Sequence, residues 1–227
     1  MIRAVLFDLD GTLLDRDSSL KRFVEMQHQR WGHCLGHIPK EAFINRFVEL
    51  DARGYVWKDA VYQQLIDEFE IQGTTWEELL EDYVSQFHQA CVSFPNLLEL
   101  LEELQQRGIE LGLITNGFTA LQMSNIQALG IERYFSAILV SEQEGLRKPD
   151  HRIFKLAAER LGVAPEESIY VGDHPMNDVQ ASREAGMIAI WKKDEYWESP
   201  VEADAVINDL SELVGILEHF IHFELLK

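Results

Sequence analysis

Short apolar runs recur along this sequence, and the way they end constrains the fold more than any other feature. Residues 2–7 run into Asp-Leu-Asp-Gly, 110–115 into Asn-Gly, 137–140 into Ser-Glu and 168–171 into Gly-Asp; 187–191 and 205–207 follow. The runs do not alternate polar with apolar, so they suit strands covered on both faces, as in a parallel sheet. Helical patterns separate the later runs. Leu97, Leu98, Leu101 and Leu104 recur at helical spacing between Pro95 and Gly108. Residues 118–129, 151–161 and 176–185 stop before Gly130, Gly162 and Gly186, where a left-handed residue can end a helix. Strand and helix in alternation predict an α/β fold: an open parallel-sheet, Rossmann-like core with helices on both faces and right-handed crossovers.

One stretch breaks this cadence. Residues 16–91 carry almost no strand signal, and helical periodicity runs near 17–31, 39–50, 58–70 and 76–90. Thr75 followed by Glu78 is a capping-box pattern that opens the last of these. The expected organisation is therefore a core of residues 1–15 and 92–227, interrupted by a small all-helical domain over 16–91. The linkers fall at 11–16 and 92–96. Trp31 and Trp76 are read as core of the helical domain, and 209–225 as an amphipathic helix packing on the sheet.

The chain has 227 residues, of which 46% are apolar, enough to bury a core without disulfide or metal staples. Its formal charge of -19 repels phosphate polymers and anionic bilayers, which argues against nucleic-acid and membrane partners. A small anion held by a local cation is still compatible with that field. Cys34 and Cys91 form no CxxC pair and have no histidine at ligand spacing, so they read as free thiols in a reducing compartment rather than zinc ligands. No apolar run approaches the ~18 residues of a membrane span. The apolar run at the N-terminus is too short for a secretion signal, and the expected location is cytoplasmic.

In open α/β sheets, ligands bind beyond the carboxyl ends of the strands. The residues there are Asp8-Leu9-Asp10-Gly11-Thr12, Thr115-Asn116-Gly117, Arg147-Lys148-Pro149-Asp150, and Gly172-Asp173 with Asp178 five residues on. Converging carboxylates repel one another unless a cation compensates. Hard oxygen donors without His or Cys favour Mg²⁺, and Lys148 adds a fixed positive charge. Such a site suits a phosphoryl group. Asp8 and Asp10, two apart, project to one side of a strand. One would be a nucleophile. The other would give a proton to the leaving group and later take one from water, in a transfer through an acyl-phosphate.

DLDGT, ITN, KPD and GDHPMND together resemble the four motifs of the haloacid dehalogenase-like hydrolase superfamily, across residues 2–15 and 92–210. The helical insert resembles that family's cap domain. The resemblance implies that Asp8 is the nucleophile and a metal ligand, and that Asp10 is the general acid/base with its carbonyl on the metal. It implies that Thr115 and the Asn116 N–H hold the phosphoryl oxygens and that Lys148 neutralises the reacting groups. Asp173 would complete a Mg²⁺ site, with Asp178 as ligand or support. An acid at position 10 resembles the phosphatases and mutases of the family rather than its dehalogenases. The expected activity is hydrolysis of a small phosphorylated metabolite, leaning toward nucleoside-monophosphate or phosphoglycolate-like substrates. The alternatives are a phosphomutase of the β-phosphoglucomutase type and a non-catalytic binding or regulatory module. The protein would act as a monomer or homodimer. Substrate choice would rest on the stretch 51–58, with Arg53, Tyr55, Trp57 and Lys58 as candidates; Tyr55 and Trp57 could equally cap the helical domain's own core. Arg16 and Asp17 lie beside the hinge, and His174 is either a supporting or a surface residue.

Overall fold

The computed structural model describes residues 1–197 and 202–225, the last five by backbone alone. The chain divides into two compact units, Met1–Asp15 with Ser93–Lys227, and Arg16–Val92.

The first strand, β1 (Ala4–Phe7), is followed by the helical unit: α1 (Arg16–Arg30), α2 (Gly32–Leu35), α3 (Lys40–Asp51), α4 (Lys58–Glu68) and α5 (Trp76–Gln86). Its interior is aromatic. Phe23, Phe43, Phe47 and Tyr62 are fully buried, and Phe23 meets Tyr83 edge-on at 5.2 Å between centroids. Among the polar groups buried there, Gln27 is admitted because its side-chain bonds are made. Buried Gln27 accepts from the Tyr62 hydroxyl (2.7 Å) and donates to the Leu79 carbonyl (3.0 Å) and to Asp82 (2.9 Å). The Thr75–Glu78 capping box forms as the sequence predicts. Trp31 and Trp76, in contrast, are only half-buried. They sit beyond the end of α1 and at the first residue of α5, and Trp31 stacks on His33.

The other unit is a six-stranded parallel sheet in the order β3-β2-β1-β4-β5-β6. After α6 (Leu97–Gln106) come β2 (Glu110–Thr115), α7 (Thr119–Ala128), β3 (Ala137–Val140), α8 (Ser141–Glu144) and α9 (His151–Arg160). Then follow β4 (Ser168–Gly172), α10 (Ala181–Glu184), β5 (Ile188–Lys192), β6 (Ala205–Ile207) and α11 (Glu212–Leu225). One sheet face is a continuous cluster in which Leu6, Ile114, Leu139 and Tyr170 pack with Ile153, Phe154 and Ala157 of α9. Alternate residues Val5 and Phe7 are equally buried on the opposite side, as period-two strands covered twice require. The predicted helix stops hold: Gly108, Gly130, Gly162 and Gly186 all have positive φ. The segment over 176–185 departs from expectation. It opens with a π-helical turn, Pro175–Gln180, before the short α10, and both Asp178 and Val179 donate their N–H to the His174 carbonyl. The widened turn accompanies the anchoring of Asp178 back against the end of β4.

Register places the chemistry. Phe7 stands opposite Leu113 on one side and Val171 on the other, and Thr115 stands opposite Val140. The residues that follow β1, β2 and β4 therefore emerge at one edge. This is also where the strand order reverses about β1.

Candidate active site

Directly after β1, the chain coils tightly. The N–H groups of Thr12, Leu13 and Leu14 all point at the Leu9 carbonyl, at 3.3, 2.9 and 2.8 Å. Gly11 makes this turn possible. Its φ is +89°, and a Cβ there would stand 2.6 Å from an Asp173 carboxylate oxygen. Asp8, at the strand end, is 6% exposed and accepts from the Thr12 hydroxyl at 3.2 Å.

Lys148 is the hub. Its buried ammonium donates to Asp8 Oδ1 and Asp178 Oδ1, each at 2.6 Å, and contacts the Tyr170 hydroxyl at 3.0 Å. Its backbone is clamped by the Asn116 side-chain amide, which accepts from the Lys148 N–H and donates to the Lys148 carbonyl, both at 3.0 Å. The end of β2 thus fixes the cation that meets the end of β1. Asp178 is held by Lys148 and by the His174 N–H at 3.0 Å. His174 caps its own turn, its ring nitrogen accepting from the Met176 and Asn177 N–H groups. Asp173 is held at its carbonyl by the Trp191 indole N–H at 2.7 Å, while the Trp197 indole lies 3.4 Å from its carboxylate.

Three carboxylates against one ammonium leave this pocket short of positive charge. Burial pushes Asp8 up to about 7 despite the pull of Lys148, and the neighbouring Asp178 adds to the rise. Burial, reinforced by the charges of Asp8 and Asp178, also pushes Asp173 well above the usual carboxylate range. For Lys148, burial works against the charge, but Asp178 and Asp8 outweigh it and hold the ammonium well above its ordinary value. One oxygen from each of Asp8, Asp173 and Asp178 lies within 4.8 Å of the others. A buried all-carboxylate set of that size fits a hard divalent cation such as Mg²⁺, whose charge would offset the repulsion among them.

The sequence-predicted core residues come together: Asp8, Lys148, Asp173 and Asp178 form one cluster. Asp10 and Thr115 are joined through a third residue, Gln122, whose amide nitrogen is 2.7 Å from Asp10 Oδ2 and 2.6 Å from Thr115 Oγ1. The four selectivity candidates belong to the helical unit. There Tyr55 is 65% exposed and Trp57 meets Tyr83 edge-on. Arg53 pairs with Asp17 at 3.3 Å. Lys58 is buried, paired with Asp51, which also binds Arg16 at 2.9 Å. Sequence reasoning missed Gln122, Tyr170 and Lys192. The Lys192 ammonium, at the end of β5, donates to the Gly11 carbonyl at 3.0 Å and lies over the Phe94 ring. The only signals for these were a tyrosine inside an apolar strand, a glutamine on a helix following a predicted site turn, and a lysine at a strand end.

Residues 5–192 match the family described as haloacid dehalogenase-like hydrolase. A phosphoserine phosphatase of Thermus thermophilus is 32% identical over 174 residues, 74% of this chain and 70% of that protein. A glyceraldehyde 3-phosphate phosphatase of Methanocaldococcus jannaschii is 29% identical over 96% of this chain and 98% of its own length. Among solved structures, a HAD phosphatase from Thermococcus onnurineus has a TM-score of 0.68 at 30% identity, covering 95% of this chain and 98% of that one.

Proposed function

The chain belongs to the haloacid dehalogenase-like hydrolase family, as one of its phosphatases, and on that premise we propose that it hydrolyses a small phosphomonoester through a phosphoenzyme formed on Asp8. The observation that carries this reading is the Asp8 carboxylate, buried at a strand end and ion-paired with Lys148 at 2.6 Å. Asp8 attacks phosphorus and the bond to the ester oxygen breaks. Asp10 supplies the proton that this oxygen needs to leave as an alcohol. The product is an acyl-phosphate on Asp8. Asp10, now a carboxylate, takes a proton from water as the water oxygen attacks the same phosphorus, which frees inorganic phosphate and restores Asp8. Thr115 and the Asn116 N–H receive the phosphoryl oxygens, and the Lys148 ammonium offsets the charge of Asp8 as the anionic group approaches. Mg²⁺, when bound by Asp8, Asp173 and the Asp10 carbonyl with Asp178 in support, would neutralise the two anions that must meet. The family likeness and the carboxylate cluster support that assignment, and Mg²⁺ is the cofactor we assign.

The test is a panel of phosphoserine, glyceraldehyde 3-phosphate, phosphoglycolate and nucleoside monophosphates, run with and without Mg²⁺ on the parent protein and on Asp8→Asn. Turnover that needs Mg²⁺ and is abolished in a folded Asp8→Asn variant is the expected result. Near-parental phosphate release by Asp8→Asn would overturn the mechanism.

A further inference from the structure

We propose that Gln122 is a positioning residue for proton transfer, setting which oxygen of Asp10 delivers the proton to the leaving group. The inference deepens the phosphatase reading and rests on it.

Gln122 lies in the first half of α7 and is 3% exposed. Its amide nitrogen donates to Asp10 Oδ2 at 2.7 Å and to Thr115 Oγ1 at 2.6 Å, with the Asn116 carbonyl a longer third contact at 3.4 Å. Its amide oxygen accepts from Asn125 Nδ2, three residues along the helix, at 3.3 Å. These partners settle the orientation of the amide. Reversed, it would set an oxygen lone pair against the Asp10 carboxylate and lose the Asn125 donor. The side chain is also held in place sterically. A Cβ on Gly117, in the turn after β2, would stand 2.9 Å from Gln122 Cγ, so the glutamine stem packs directly against that turn.

Two consequences follow from this pairing. Thr115 Oγ1 accepts from Gln122, so its own proton is left to donate, which is the polarity a phosphoryl oxygen needs. Asp10 Oδ2 accepts from Gln122, so the transferable proton resides on Oδ1. As the P–O bond breaks, that proton passes from Oδ1 to the ester oxygen, and it is replaced from water in the second step. One neutral side chain thereby ties the proton donor to a phosphoryl-holding hydroxyl. It does so without adding charge to a site already rich in carboxylates. A carboxylate at position 122 would oppose Asp10, and an apolar residue would leave it free to rotate.

Leaving-group dependence tests this. An alkyl phosphate needs a proton on its departing oxygen; a dinitrophenyl phosphate does not. In Gln122→Met, which keeps the length of the stem, kcat/KM for the alkyl ester should fall about 10- to 100-fold, the scale of a misplaced catalytic group. The dinitrophenyl ester should lose less than about threefold, and Asp10→Asn should shift the same ratio in the same direction. Because both substrates are read on one sample, the ratio does not depend on the fraction folded. Equal losses on the two esters, or no loss on either, would overturn the role of Gln122 while leaving the phosphatase reading intact. A parent protein that turned over neither ester would overturn the phosphatase reading itself.

Discussion

Mg²⁺ affinity should rise about tenfold between pH 6 and pH 8, and the reason lies in how far burial raises Asp8. Asp8 is pushed up to about 7, chiefly by burial. A bound cation requires it ionised. With a pKa near 7, about one Asp8 in ten is ionised at pH 6 and about nine in ten at pH 8, a ratio of about ten or ~1.4 kcal/mol. Asp173, displaced in the same direction, steepens the dependence. The metal-free protein should move the opposite way. A carboxyl raised above its unfolded value of 3.8 contributes stability that is complete at low pH and lost as pH climbs through about 7. This one group therefore removes ~1.4 kcal/mol of metal-free stability over the same interval. Calorimetric titration with Mg²⁺ in two buffers of different ionisation enthalpy reads both the affinity and the protons released, and denaturant unfolding without metal reads the stability. Equal affinity at the two pH values, with no proton release at pH 6, would refute the account of the cluster as a proton-for-metal exchanger.

Lys148→Met removes the ammonium shared by Asp8, Asp178 and Tyr170. It should destabilise the protein by about 3–5 kcal/mol at pH 8 and by less at pH 5.5, where Asp8, pushed up to about 7, takes up a proton. Urea unfolding at the two pH values checks this, and a pH-independent loss under ~1 kcal/mol would count against it. Gly172→Ala puts a methyl 2.3 Å from Asp178 Cβ, backed by the π-helical turn; a loss of about 1–3 kcal/mol is expected in thermal unfolding. Thr75→Ala removes the capping box at α5 and should cost about 1 kcal/mol, with no change in phosphatase turnover.

The parallel sheet, and the gathering of four charged side chains at one of its edges, were already legible in the linear chain. Apolar runs without alternation require strands buried on both faces, and strands joined by helices run parallel, so their ends gather at one edge. That logic places Asp8, Lys148, Asp173 and Asp178 at one edge from the linear chain alone. Trp31 and Trp76 show its limit, because residue type says how much surface a side chain has to bury but not whether a helix end faces the interior. The tertiary structure alone decided the wiring. Burial, which the packed core imposes, pushes Asp8 and Asp173 above the usual carboxylate range; Lys148 bridges Asp8 and Asp178, residues 140 and 30 positions away. Gln122 reaches Asp10 across 112 positions. Strand and helix periods are local and can be read from neighbours along the chain. Which hydrogen bond a side chain makes depends on ångström distances between segments that meet only when the sheet forms.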